Sequence, residues 1–323
     1  MLVMRGRMVS SVGSHLARNT LRAVLIDPPE DKVLFCTGGA GSICSAQTRA
    51  LVHLGASAAI IGRNKEKTER MAADIATARP GARVIAIAGV DVRDTKALQE
   101  AADRTARELG GIDFVIAGAA GNFLAPMSQL SANAFKSVMD IDVLGSYNTV
   151  KATMPYLVRS AKSSAADATY PSTGGRIIFV SATIHYTGLP LQTHVSAAKA
   201  AVDSLSNAVA IEYGPLGVTS NVIAPGPIGG TEGMARLAKS DPESVAKSAK
   251  KVPVGRLGSV KDIADATVYL FSDAGNFVNG STVVVDGGSW RVSAGNPGST
   301  WEYPDFILSG ATVEGVKGGK AKL

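Results

Sequence analysis

"FCTGGAGSICSAQT" (residues 35–48) decides the fold: an apolar run ends at a threonine, a glycine-rich turn follows, and a helical pattern begins at once. In an open parallel sheet this order puts the turn at the carboxyl end of a strand, where backbone N–H groups and a helix N-terminus face a phosphate. Thr37, Gly38, Gly39 and Gly41, with the small Ala40, suit such a cradle, and a tight turn without a ligand would use the same residues. Two glycines of the usual dinucleotide fingerprint are missing, because Ser42 and Cys44 stand in their places. Ser42 opens the helix, where its hydroxyl can accept from terminal N–H groups or donate to a phosphate oxygen. Cys44 is scarcely larger than alanine and falls where the helix passes closest to the sheet. Ile43, between them, completes the stretch expected to meet the cofactor.

Outward from that turn, β-rich runs alternate with amphipathic helical segments over residues 33–288. The strand candidates are KVLFC (32–36), SAAIIG (57–62), RVIAIAGVD (83–91), DFVIAGA (113–119), RIIFVSA (176–182), TSNVIAPG (219–226) and STVVVDGG (281–288). Most are continuous apolar runs, as strands covered by helices on both faces are. A helix is expected over 43–54, with Ile43, Ala46, Ala50, Leu51 and Leu54 on one face. The rhythm predicts an α/β fold: a doubly wound parallel sheet of Rossmann type in a single domain, residues 31–290. An N-terminal extension (1–30) precedes it and a C-terminal extension (291–323) follows. "SAKSSAADATYPSTG" (160–174) reads as a surface loop before a strand, and Trp290, Trp301 and Tyr303 give the end of the chain something to dock with.

With 323 residues, 46% of them hydrophobic, the chain can bury a large core. No apolar run approaches the ~20 residues of a membrane-spanning helix, so no stable membrane insertion is expected. The net charge of +6 comes from scattered basic residues and aromatics make up only 5%, which offers no stacking platform for nucleic acid. An anionic small ligand is the simpler use of that charge. Cys36 and Cys44 lack metal-ligand spacing and read as structural thiols, so no metal is expected.

The second strand ends "IIGRN", placing Arg63 where the adenosine ribose is read. Arginine pairs with a 2′-phosphate where an acid would bind both ribose hydroxyls, which favours NADPH; an exposed arginine at a helix start is the plain alternative. Asp91, after the third strand, is placed to accept from the adenine amino group. "TGGAGSIC" (37–44), Asp91-Val92, "NVIAPGPIGGT" (221–231) and "VVVDGG" (283–288), in that order and spacing, resemble the short-chain dehydrogenase/reductase family over residues 33–290. The resemblance implies that Lys199 holds the nicotinamide ribose. It implies also that Pro225, Gly226, Ile228 and Thr231 belong to the segment covering the nicotinamide and its phosphates.

Most of that family uses an Asn-Ser-Tyr-Lys set, in which tyrosine gives a proton to a carbonyl oxygen. Here Val195 stands where the tyrosine belongs, Ala182 replaces the serine, and Asp142 in "MDIDVLGSYN" replaces the asparagine. An ordinary ketoreductase is therefore not expected; a cofactor-binding pseudoenzyme or a reductase that needs no proton on its substrate's oxygen remains. Residues 114–148, 194–205 and 224–237, substitutions included, resemble the subgroup of the family that reduces 2,4-dienoyl-CoA, in its peroxisomal and above all fungal form. That chemistry adds hydride at C5, spreads the charge to the thioester oxygen as a dienolate, and protonates carbon at C2 to give trans-3-enoyl-CoA. It needs hydrogen-bond donors for the oxygen and a proton relay near C2. By position Asp142 is the relay, through a water, with Lys199 supporting the dienolate; a helix-capping or ribose-linked acid is the alternative for Asp142. His185 and His194 are weaker candidates as proton donors. For the acyl-CoA substrate the resemblance points to Arg93 and Arg236 at the CoA part and to Phe123, Ser131 and Asn133 along the substrate, with core packing the alternative for Phe123. Met127 and Met234 could line an acyl channel or fill core.

The resemblance implies an enzyme auxiliary to β-oxidation of unsaturated fatty acids. The alternatives are a trans-2-enoyl-CoA reductase of the same family and a non-catalytic cofactor-binding subunit. Ala321-Lys322-Leu323 is a variant of the Ser-Lys-Leu peroxisomal signal, read by an import receptor. Arg5, Arg7, Arg18 and Arg22, with no acid before Asp27, would suit a mitochondrial presequence instead. Relatives are dimers or tetramers, which implies a homo-oligomer.

Overall fold

A computed structural model describes residues 31–164, 174–237, 241–293 and 309. Seven strands form one parallel sheet: β1 (Val33–Thr37), β2 (Ser57–Gly62), β3 (Val84–Ala88), β4 (Phe114–Ala117), β5 (Arg176–Val180), β6 (Thr219–Pro225) and β7 (Thr282–Val285). Their order is β3-β2-β1-β4-β5-β6-β7, so the winding reverses between β1 and β4, and the carboxyl ends there border a crevice. The first half of the chain supplies α1 (Ser42–His53), α2 (Lys65–Ala76), α3 (Thr95–Leu109), α4 (Ala132–Met139) and α5 (Gly145–Ser164). The second half supplies α6 (Ile184–Thr187), α7 (Thr193–Tyr213), α8 (Glu232–Leu237), α9 (Pro242–Ala249), α10 (Val260–Phe271) and α11 (Ser289–Ser293).

Every expected strand is present, and the uninterrupted apolar runs have the expected cause. Alternate strand residues feed separate cores, Phe35, Ile61, Val115 and Phe179 packing with Leu98, Leu157 and Val202 on one face. On the other, Leu34, Ile60, Ile116 and Ile178 meet Leu51, Ile75, Ile263 and Leu270. Strands are shorter than their apolar runs at the carboxyl end: Gly118-Ala119, Ser181-Ala182 and Asp286–Gly288 leave the ladder and become loops. Those loops build the site.

Two expectations are corrected. The buried face of α1 is Cys44, Gln47, Thr48, Leu51 and Val52, a stripe rotated from the one read from apolar residues; Ile43, Ala50 and Leu54 only flank the core. Polar residues can occupy it because they are paired: Gln47 Nε2 donates to Thr267 Oγ1 of α10 at 2.8 Å, and Thr48 Oγ1 to the Cys44 carbonyl at 2.8 Å. Of the loop expected over 160–174, residues 160–164 are instead the last turn of α5. There Ser160 donates to Asp113 Oδ1 at 2.5 Å and Ala161 enters the core. Residues 165–173, both extensions apart from Arg291–Ser293 and Ser309, Trp301, Tyr303 and the Ala321-Lys322-Leu323 tail lie outside the described residues. Among the described residues no helix is long and apolar enough to cross a membrane.

Candidate active site

A cleft of about 590 Å³ opens at the carboxyl ends of β1, β4, β5 and β6. Its cofactor half is the turn after β1. Gly38 has φ +69°, and a Cβ there would sit 2.8 Å from the Gly118 carbonyl and 2.9 Å from Ala119 Cα, so only glycine lets the turn lie against the loop after β4. Thr37 Oγ1 ties the same two loops by accepting from the Gly118 N–H at 3.2 Å. Ser42 does not cap α1, whose N-cap is Gly41; its Oγ instead accepts from the Glu232 N–H of α8 at 3.3 Å, across the cleft. The Glu232 side chain pairs with Lys67 of α2, a second tie between the same walls.

Cys44 explains how a fingerprint glycine is dispensed with. Its Sγ lies 3.8 Å from the Gly118 carbonyl, and a Cβ on Gly118 would come within 2.3 Å of that sulfur. Helix and sheet keep their close approach because the facing residue is glycine instead. Cys36 and Cys44 are both free and buried, and burial pushes the Cys36 thiol up.

Arg63 follows β2 and is exposed. Asp91, after β3, receives the Arg93 guanidinium through Nε at 3.0 Å and Nη2 at 2.6 Å and the Arg93 N–H at 3.0 Å. Hydrogen bonds from Arg93, then the charge of Arg63, hold the Asp91 carboxyl down to about 2. The three residues form a charged group at the ends of β2 and β3, outside the cleft lining. Arg93 is thus engaged by Asp91. On the opposite wall Thr231 Oγ1 donates to the Ile228 carbonyl at 2.9 Å and accepts the Met234 N–H at 3.1 Å, fixing the Pro225–Thr231 turn that lines the cleft with Gly226 and Ile228. A glycine cradle whose Cβ space is closed, facing an ordered turn, fits a dinucleotide.

At the reacting half, α4 and α5 are one helical run broken by a π-helical turn, Asp140–Leu144. Such turns widen the helix and redirect a side chain. Asp142 sits in it, fully buried; its Oδ1 accepts from the Gly121 N–H at 2.7 Å and its Oδ2 lies 3.0 Å from Lys199 Nζ. Lys199 also donates to the Val180 carbonyl at 3.1 Å. Asp142 is therefore no helix cap. The ion pair faces the cleft beside Val195 and Ala182, so the wall where a phenol and a hydroxyl were missing from the sequence is apolar. Asn122, Ser181 and Gln192 also line the cleft, and Asn122 Oδ1, Ser181 Oγ and Gln192 Oε1 are buried without a protein partner. These three were missed in the sequence; each is a lone polar residue with no periodic or spacing signal.

The expected substrate contacts divide. Phe123 stacks its ring on His194 at 4.2 Å and packs, partly buried, beside Val138, Val195 and Ala198, outside the cleft lining. Ser131 caps α4, accepting from the Ala134 N–H at 3.2 Å, and Asn133 is exposed in that helix's first turn; neither lines the cleft. Arg236 lies in α8, the helix that borders the cleft through Met234. Met127 is exposed and does not line this cleft. His185 is bound to Asp203 at 2.8 Å, and neither His185 nor His194 reaches the lining. Trp290 of α11 does: its N–H donates to Asp286 Oδ2 at 2.7 Å and Arg291 lies over its ring at 4.0 Å.

A family model described as Enoyl-(Acyl carrier protein) reductase matches residues 38–289. A peroxisomal 2,4-dienoyl-CoA reductase [(3E)-enoyl-CoA-producing] of Saccharomyces cerevisiae is 49% identical over 87% of this chain and 91% of its own. One of the same description from Danio rerio is 40% identical over 82% of this chain and 83% of its own. Among solved structures, a short chain dehydrogenase from Bacillus anthracis superposes with TM-score 0.71 at 32% identity, covering 81% of this chain and 97% of that one.

Proposed function

The chain belongs to the short-chain dehydrogenase/reductase family, and on that premise we propose that it is a peroxisomal 2,4-dienoyl-CoA reductase, an oxidoreductase that forms trans-3-enoyl-CoA and serves β-oxidation of unsaturated fatty acids. One observation carries the reading: a buried Asp142–Lys199 pair faces a cleft whose wall beside it is Val195 and Ala182. That wall has nothing suited to protonating a carbonyl oxygen, while the pair is suited to moving a proton to carbon.

NADPH is the proposed cofactor, held by Thr37, Gly38, Gly39, Gly41, Ser42 and Ile43 at its phosphates, Arg63 at the 2′-phosphate, Asp91 at the adenine, and Lys199 with the Pro225–Thr231 turn at the nicotinamide end. When bound, it supplies hydride to C5 of the dienoyl thioester. Asn122, which lines the cleft, donates its amide N–H to the thioester oxygen as negative charge gathers on it. Lys199 lowers the energy of that dienolate by its charge, undiluted by solvent at 9% side-chain exposure. Asp142, as a carboxylate, holds a water that gives C2 its proton, the proton being replaced from solvent through the mouth of the cleft, while Val195, Ala182 and Ile184 keep bulk water from that carbon. Arg93 and Arg236 remain proposed contacts for the CoA phosphates; for Arg93 this requires that it exchange Asp91 for phosphate. The chain is further proposed to form a homo-oligomer and to enter the organelle through a receptor for Ala321-Lys322-Leu323.

NADPH oxidation followed with hexa-2,4-dienoyl-CoA, hexa-2-enoyl-CoA and acetoacetyl-CoA in parallel tests the reading. Turnover of the dienoyl thioester alone, with the product's double bond at C3, is expected. Turnover of the 2-enoyl thioester, or cofactor binding with no turnover of any, would replace it.

A further inference from the structure

Between β4 and α4 the chain crosses the cleft as Gly121-Asn122-Phe123-Leu124-Ala125, with no regular structure to hold it. It is fixed at three points. The Gly121 N–H is bound by Asp142 Oδ1 at 2.7 Å. The Phe123 carbonyl accepts two buried donors, Gln192 Nε2 at 3.0 Å and His194 Nε2 at 3.0 Å, which fills both of its lone pairs. The Ala125 N–H donates to the Leu191 carbonyl at 3.1 Å. Asn122 lies between the first two anchors, so its reach into the cleft is set by them.

The donor side is as firmly built. Gln192 and His194 are both fully buried at the start of α7. Leu191, just before them, has φ +67°, a strained region for a residue with a side chain, and this bend turns Gln192 inward. His194 lies flat against the Phe123 ring. Burial holds the imidazole below its usual range, outweighing the Phe123 carbonyl and the nearby Asp142 charge. Burial thus favours the neutral ring, and the contact with the carbonyl is a hydrogen bond when the proton is on Nε2.

We propose that Gln192 and His194 are positioning residues: together they grip the Phe123 carbonyl and through it fix Asn122 and the Gly121 N–H that carries Asp142. They touch neither reacting carbon nor hydride. The proposal rests on Asp142 acting as the proton relay, and the experiment separates the two.

Turnover, KM, NADPH binding and Tm are compared for His194→Leu, His194→Gln, Gln192→Met, Asp142→Ala and the double variant Asp142→Ala/His194→Leu. His194→Leu lowers kcat about tenfold, the worth of one hydrogen bond, while NADPH binding stays near that of the parent. His194→Gln places an amide N–H where Nε2 stood and recovers most of the loss. Gln192→Met repeats the loss at the other donor, and it carries the test if His194→Leu does not fold. In the Asp142→Ala background, His194→Leu adds little, because the group it positions is gone. Parent-like kcat in His194→Leu or Gln192→Met, no recovery in His194→Gln, or fully multiplicative losses in the double variant would overturn the proposal. Near-normal turnover of Asp142→Ala would overturn the relay reading itself.

Discussion

Asp142 concentrates the chemistry at the residue scale. A carboxylate with no exposed surface, held by one N–H and one ammonium, is tolerable only while both remain. If it relays the proton, Asp142→Ala lowers kcat at least ~100-fold with little change in NADPH affinity, measured by stopped-flow and by cofactor fluorescence. Lys199→Ala is more damaging, because it removes the charge beside the dienolate and strands the aspartate. Asp91 gives a pH prediction of definite sign. Its carboxyl is lowered from 3.8 to about 2, so the stability it contributes is present above its unfolded value and lost as pH falls through about 2. The Tm gap between the parent and Asp91→Asn should therefore be constant near neutrality and narrow from about pH 4 to pH 2. Asp142, Lys199 and Val195 could be named in the sequence because the resemblance to the family marks the positions of its Asn-Ser-Tyr-Lys set. Asn122, Gln192 and Ser181 could not: what marks them is a buried atom without a protein partner, which exists only once distant segments meet. Arg93 was legible as a cation and illegible as the partner of Asp91.

Among elements, the strands could be read almost to the residue at their starts and poorly at their ends, since the apolar runs continue into loops that turn over the cleft. The π-helical turn at Asp140–Leu144 left no trace in the pattern, because one extra residue in a helix of 33 positions barely disturbs its periodicity. The contact of α1 with β4 was half visible: Cys44 was noticed as an anomaly, but its complement, Gly118, is 74 residues away. This pairing makes a two-step prediction. Gly118→Ala drives a methyl group into the Cys44 sulfur and destabilises by about 1–3 kcal/mol in denaturant titration. Adding Cys44→Ala restores most of the loss. Equal stability of the single and double variants would mean that the loop after β4 yields instead.

For the whole molecule, the reversal of strand order between β1 and β4 gathers residues from 38 to 290 around one cleft, so occupying it should brace the entire domain. NADPH at a hundredfold excess over Kd adds about 2.7 kcal/mol, which raises Tm by several degrees in a scanning experiment. NADH at equal concentration gives a smaller rise if Arg63 reads the 2′-phosphate, and Arg63→Ala brings the two together. The apolar wall of Val195 and Ala182 has one more consequence, seen from the other thioesters that share an organelle with this enzyme. If the cleft takes acyl thioesters as proposed, a 3-oxoacyl-CoA carries the same handle, yet finds no phenol to protonate the alkoxide that hydride would create. On that reading it is expected to leave unreduced, and the two lost side chains would act as a safeguard that keeps reducing power from intermediates already committed to cleavage.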